Sequence, residues 1–194
     1  MKESQVLKEF RDAGALLSGH FILSSGLHSG QYLQCALALS DARRAARLCK
    51  ALASKVREEI SKPIDLVVSP AMGGVIVGYE MGRQLKVPSL FLERVEGAFV
   101  LRRGFHIAKG MRCLMVEDIV TTGLSSREAI AAIRENGGRV VGAACLIDRS
   151  GGKARVGTKL VSLARLSIPA YAHDAVPAQL AAIPAIKPGS RGLT

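Results

Sequence analysis

Two adjacent acids, Glu117 and Asp118, follow the apolar run Cys113-Leu114-Met115-Val116; after them come Ile119-Val120, then Thr121, Thr122, Gly123, Leu124 and Ser125. Neighbouring carboxylates suit sugar hydroxyls or a metal ion. The amides of a tight turn, threonine hydroxyls and the positive end of a helix suit a phosphate. Gly123 carries no Cβ to hold an anion away from those amides. A strand ending in acids before a helix is common in α/β proteins and says little alone. The whole string of acids, Thr/Gly turn and helix-like stretch 125–133 points to a phosphorylated sugar.

Three further clusters carry chemistry. Ser69-Pro70-Ala71-Met72-Gly73-Gly74 sets a glycine pair between apolar runs. Its amides either face an anion or only make a tight strand-to-helix turn. Residues 93–106 combine Gly97 and Gly104 with Arg94, Arg102 and Arg103. A mobile basic loop closing over a diphosphate and an ordinary exposed hairpin are both open readings. Asp148-Arg149 ends a long apolar run, and an arginine fork matches a carboxylate in geometry and charge.

The elements that position these residues follow from periodicity. Val6, Leu7, Phe10, Ala13, Leu16 and Leu17 predict a helix over 4–18. Residues 19–30 read as a β-ribbon with a Ser/Gly-rich turn. Ser40-Asp41 caps a helix over about 42–60, striped by Ala45, Leu48, Leu52, Val56 and Ile60, and Pro63 breaks the chain. Strand patterns at 64–69, 89–92, 112–117, 139–148 and 159–163 alternate with helical ones at 73–82 and 125–136, the latter stopped by Gly137-Gly138. The alternation predicts an α/β fold, a parallel sheet flanked by helices. The tail from Pro184 (Pro184, Pro188, Gly189, Gly192) reads as loosely ordered. In open α/β sheets ligands bind beyond the carboxyl ends of strands, where Ser69-Pro70, Glu117-Asp118 and Asp148-Arg149 would converge.

The chain's 194 residues fit one domain with a small appended part, and 48% hydrophobic with 22% charged residues is ordinary for a globular protein. No apolar run approaches a membrane span, and Met1–Lys8 lacks a signal-like apolar core, so a cytoplasmic protein with no membrane partner is expected. Cys35, Cys49, Cys113 and Cys145 are far apart and form no CxxC pair, which predicts buried free thiols and no zinc. The net charge of +11 fits nucleic acid or a substrate with several phosphates. No Lys/Arg block exceeds two residues and aromatics are 4% with no Trp, so a stacking platform for single strands is poorly supported. No GxxxxGK[ST] string occurs, which disfavours a Walker-type nucleotidase.

The string from Cys113 to Ser125 resembles the phosphoribosyl diphosphate (PRPP) signature of type I phosphoribosyltransferases. The opening segment Gly19-His20-Phe21-Ile22-Leu23-Ser24-Ser25-Gly26-Leu27-His28-Ser29-Gly30-Gln31-Tyr32 and the strand end Leu146-Ile147-Asp148-Arg149 resemble orotate phosphoribosyltransferases. The resemblance covers about residues 5–165. It implies a single phosphoribosyltransferase domain over 1–194, with a hood of about 1–40 plus a C-terminal part over a core of about 41–165. The implied reaction moves the phosphoribosyl group from PRPP to orotate, giving orotidine 5′-monophosphate and pyrophosphate in pyrimidine biosynthesis. Mg²⁺ bound mainly through PRPP, with no metal ligand assigned to the protein, is the implied cofactor. A homodimer whose loop completes the neighbour's site is also implied.

Residue by residue, the resemblance assigns Glu117 and Asp118 to the ribose hydroxyls. It gives Thr121, Thr122, Gly123, Leu124 and Ser125 to the 5′-phosphate and counts Ile119, Val120 and Arg94 with them in the PRPP site. Gly73 and Gly74 fall on the pyrophosphate, and Thr121 and Arg149 on orotate. Arg94 and Asp118 are the candidate catalytic groups. Three positions where lysine is frequent in the family differ: Ser24, Gly73 and Val95. Arg94, Arg102 and Arg103 are the substitutes; His28 and His106 are weaker candidates. A purine phosphoribosyltransferase and a PRPP-motif regulator that binds RNA are the alternatives, although nucleic acid is not the expected partner.

Overall fold

A computed structural model of the chain describes residues 1–23 and 25–188. The first helix, α1 (Glu3–Asp12), is shorter than periodicity predicts. Gly14 adopts φ +63°, its N–H reaches Arg11 O at 2.9 Å, and the Ala15 N–H reaches Phe10 O at 2.8 Å. This Schellman closure stops the helix, so Leu16 and Leu17 begin a strand instead. The expected ribbon forms from β1 (Leu16–Ile22) and β2 (His28–Leu33), paired antiparallel.

A short helix, α2 (Cys35–Leu39), precedes α3 (Ala42–Glu59). Asp41 caps α3 by accepting from the N–H groups of Arg43 at 2.8 Å and Arg44 at 3.1 Å. Then follow β3 (Leu66–Pro70), α4 (Gly74–Leu85), β4 (Ser89–Val95), β5 (Ala98–Val100), β6 (Arg112–Val120), α5 (Leu124–Glu135), β7 (Arg139–Asp148) and β8 (Leu160–Arg165). The main sheet has the order β5-β4-β3-β6-β7-β8, parallel throughout except for the antiparallel edge β5.

Both faces of this sheet are buried, as continuous apolar strands require. Val67, Leu114, Val116, Ala144 and Leu146 pack with α1, α3 and α4 through Phe10, Leu52, Val56, Val77 and Met81. Val68, Met115, Ala143 and Cys145 pack with α5 through Ala129, Ile130 and Ile133. All four cysteines are free and buried.

Within the tail, residues 185–186 form a strand rather than the loose chain that composition suggests. Chain segments after β8 supply β9 (Ala170–Tyr171), α6 (Ala178–Ala181) and β10 (Ala185–Ile186). β9 and β10 pair with the ribbon to make a second sheet, β10-β1-β2-β9. The edge of β1 has unpaired backbone groups, which explains why residues after Pro184 dock there. Gly189 and Gly192 lie outside the described residues.

Helix α4 lies close to β3 because Gly78 lacks a side chain. A Cβ at Gly78 would sit 2.2 Å from Ser69 Oγ and 2.8 Å from Ser69 Cβ. Gly78→Ala is therefore expected to cost about 1–3 kcal/mol of stability by overpacking. Urea denaturation of the two proteins checks it.

Candidate active site

The carboxyl ends of β3, β6 and β7 bring the sequence candidates together. The Thr/Gly corner is built as expected. Gly123, at φ +76°, leads into α5, and Leu124 N–H points to Thr122 Oγ1 at 3.4 Å. Thr121, Thr122, Leu124 and Ser125 are exposed. With Glu117, Ile119, Gly123 and Ser126 they line a small cavity of about 40 Å³.

β6 runs to Val120, three residues beyond its expected end, because β7 continues alongside it with Ile119 opposite Ile147 and Val120 opposite Asp148. The pleat therefore persists through both acids, and they leave the strand on opposite faces. Glu117 faces α5, where it accepts a short hydrogen bond from Ser126 Oγ. Asp118 faces the Gly73 turn: a Cβ on Gly73 would lie 2.8 and 2.9 Å from its two carboxylate oxygens. That contact joins the glycine pair to the acid pair. It also explains glycine at this position, where the resemblance leads one to look for lysine. The peptide bond Ala71-Met72 in this turn is cis. Ile119 N–H donates to Asp118 Oδ1 at 2.9 Å.

Burial dominates the electrostatics here. It pushes the Glu117 carboxyl up to about 7, with Asp118 adding to the rise and the Ser126 hydroxyl opposing it. Burial also raises Asp118, against the pull of the Ile119 N–H. Unfolded, Glu117 ionises at an ordinary 4.5. The folded state thus loses stability as pH rises, fully so above about 7. Glu117→Gln is expected to gain about 3 kcal/mol relative to the native chain near pH 8.5 and little near pH 4.5. Thermal melts at the two pH values check the sign.

Arg149 follows β7 directly. Its N–H bonds Val120 O at 2.8 Å, which sets it beside Thr121. The side chain is half-buried, burial lowers its pKa, and its guanidinium has no hydrogen-bond partner among the described residues. Asp148 shapes the following loop instead, accepting from Ser150 N–H at 2.9 Å, Ser150 Oγ at 2.6 Å and Gly152 N–H at 2.9 Å.

Residues 93–106 begin as the hairpin alternative rather than as an open loop: β4 and β5 pair across a turn at Glu96-Gly97. Arg94 lies over the Phe99 ring at 4.1 Å, donates to Gly97 O, and reaches Glu128 on α5 at 2.5 Å. Arg103 bonds Glu93 at 2.8 Å, and Arg102 lies 3.7 Å from the same acid. His106 is exposed, and His28 is buried away from the corner in contact with two other histidines.

Sequence reading missed Ser126. It lies one residue past the motif, and only helical spacing from Gly123 could have suggested that it turns inward. Burial raises the thiol of Cys35, on the unforeseen α2, and the neighbouring Asp118 adds to the rise.

Comparison with known proteins agrees with this geometry. Residues 36–168 match the family model described as phosphoribosyl transferase domain. The orotate phosphoribosyltransferase of Parvibaculum lavamentivorans is 66% identical over 191 residues, covering 98% of each chain. That of Maricaulis maris is 57% identical over 193 residues, covering 100% of each. A crystal structure of orotate phosphoribosyltransferase from Aeropyrum pernix superposes with TM-score 0.69 at 29% identity, covering 83% of this chain and 93% of the other. On these grounds the chain belongs to the phosphoribosyl transferase domain family and, within it, to the orotate phosphoribosyltransferases.

Proposed function

We propose that the chain transfers the phosphoribosyl group of PRPP to orotate, releasing pyrophosphate and forming orotidine 5′-monophosphate for pyrimidine biosynthesis. The observation that carries this reading is the convergence of Asp118, the Gly73-Gly74 turn and the Thr121–Ser125 corner at the carboxyl ends of β3 and β6, beside an Arg149 guanidinium with no hydrogen-bond partner among the described residues. The exposed amides and hydroxyls of residues 121–125 hold the 5′-phosphate, and the α5 N-terminus favours its charge. Glu117 and Asp118 accept from the ribose hydroxyls. Backbone amides at Gly73 and Gly74 face the diphosphate, and Arg94 neutralises charge on the leaving group. Arg149 takes the orotate carboxylate and Thr121 the ring.

As the C1–O bond breaks, positive charge grows on the ribose and negative charge on the diphosphate. The protein's part is to position the reactants, neutralise that negative charge and exclude water. Among the described residues no group of three or more His, Cys, Asp and Glu is arranged to hold a metal ion. The adjacent carboxylates Glu117 and Asp118 fit a Mg²⁺ ion carried mainly on the oxygens of PRPP itself. Such an ion would add further charge neutralisation at the diphosphate.

The functional unit we propose is one domain over 1–194 with the ribbon sheet as its hood. A cytoplasmic location is part of the proposal; no described helix is long and apolar enough to cross a membrane. A homodimer is the proposed assembly. Ile76 and Tyr79 on α4 and Met72 in the turn before it, exposed by 48%, 69% and 85%, leave large apolar side chains uncovered and support it. Incubation with PRPP, Mg²⁺ and a panel of bases tests the substrate. Orotate alone should consume PRPP; consumption with adenine or guanine instead would favour the purine reading.

A further inference from the structure

We propose that Ser126 is a positioning residue for Glu117, fixing the carboxylate so that it can accept from the ribose. This rests on the proposed reading of the corner. Ser126 is fully buried and Glu117 nearly so, at 0% and 8% exposure. Both line the same small cavity as the Thr/Gly corner. Ser126 Oγ is the side-chain donor to Glu117 Oε2, and it spends one oxygen while the other remains for a ligand. Ser126 sits on the first turn of α5, the helix whose start holds the phosphate, so the bond couples the two halves of the ribose-phosphate site. A hydroxyl bonded to a charged acceptor matters most where water is excluded.

Two measurements test this on the full chain. In Ser126→Ala the PRPP KM should rise about tenfold to hundredfold, with kcat and the orotate KM nearly unchanged; Ser126→Thr, which keeps the hydroxyl, should restore it. In the absence of substrate, carboxyl ¹³C NMR should show Glu117 titrating at higher pH in Ser126→Ala than in the native chain. A Glu117 titration that stays in place, or a parallel loss in every kinetic constant, overturns the role of Ser126. A native chain that takes up no PRPP, while the titration still depends on Ser126, overturns the functional reading and leaves the Ser126–Glu117 pair standing.

A separate observation lies in the hood. Three of the chain's four histidines form a line: His20 Nε2 meets His28 Nδ1 at 2.6 Å, and His28 Nε2 meets His173 Nδ1 at 3.2 Å. The line ends at Ile183 O, 2.9 Å from His20 Nδ1. A carbonyl only accepts, so His20 Nδ1 carries hydrogen, His20 Nε2 accepts from His28 Nδ1, and His28 Nε2 accepts from His173 Nδ1. Each N···N contact holds one hydrogen. One extra proton can enter at the far nitrogen of the exposed His173, but a second would set two N–H groups face to face.

We infer that this line is a pH-operated latch seating the C-terminal segment 168–186 on the β1–β2 ribbon. His20 and His28 belong to the ribbon; His173 and Ile183 belong to the segment. The ionisable groups on the packed elements are Asp174 beside His173, Tyr171 opposite His28, Tyr32 on β2, Lys187 after β10, and Glu3, Lys8, Glu9, Arg11 and Asp12 on α1. None of them bonds a ring among the described residues, so no hydrogen-bonded carboxylate holds added charge on the line. Burial and the two neighbouring rings lower the pKa of His28. The seat is therefore firm above the ordinary histidine value of 6.5 and weakens as pH falls below it.

Hydrogen exchange of the full chain, corrected for intrinsic rates, tests the latch. Opening of 168–186 should increase below that pH by about tenfold per unit for each proton taken up, while β3 and β6 stay protected. His28→Gln, whose amide can turn a donor or an acceptor to its neighbours, should flatten the response. A flat native response, an equal response in His28→Gln, or a rise spread over the whole chain overturns the latch. Should His28→Gln fail to fold, imidazole ¹⁵N spectra of the native chain decide: hydrogen on His28 Nδ1 supports the line, and hydrogen on Nε2 overturns it.

Discussion

Arg149→Ala is expected to raise the KM for orotate by about 30-fold to several thousand-fold and to leave the KM for PRPP near its native value. The range corresponds to about 2–5 kcal/mol for deleting one member of a hydrogen-bonded charge pair in a desolvated site. The guanidinium is half-buried beside Thr121, burial lowers its pKa, and no acceptor among the described residues bonds it. An unpaired cation in such a place is costly, and a ligand carboxylate removes that cost. Arg149→Lys should recover only part of the loss, because an ammonium cannot make the two parallel bonds of the fork. Steady-state kinetics with each substrate varied in turn separates the two KM values. An unchanged orotate KM would take Arg149 out of the base site.

If Arg94 neutralises the leaving group as proposed, Arg94→Ala is expected to lower kcat by about 100- to 1000-fold, the usual loss when one donor to developing negative charge is removed. In the structure Arg94 is engaged elsewhere, on Glu128, Gly97 O and the Phe99 ring. It must leave Glu128 to meet a diphosphate. The side chains are 40% and 38% exposed, and exposed ion pairs contribute about 0–1 kcal/mol, so a polyanion readily wins the exchange. A kcat that stays normal would shift the leaving-group role to Arg102 or Arg103, which share Glu93.

How far the sequence could be read depended on where the determining contacts lie. The parallel sheet was legible because its strands are apolar on both faces, and the Thr/Gly corner because its parts are consecutive. Leu16 and Leu17 continue a helical stripe, yet Gly14 turns the chain first, so a strand replaced the helix. The acids were read at a strand end, but pairing with β7 carried β6 past them and parted their side chains. Registers of this kind belong to the partner strand. Arg94–Glu128, 34 residues apart in sequence, and the docking of β10 on β1 are likewise tertiary and leave no local signal. Ser126 stood next to the motif but needed the geometry of α5 to show which way it turns.

The cradle of acids, glycine turn and Thr/Gly corner is tested most directly by calorimetric titration of the chain with PRPP in the presence of Mg²⁺. The native protein should take up one PRPP per chain, and Asp118→Asn should bind it far more weakly while remaining folded. Absence of uptake by the native protein, or equal uptake by Asp118→Asn, would contradict the assignment of this corner as the PRPP site.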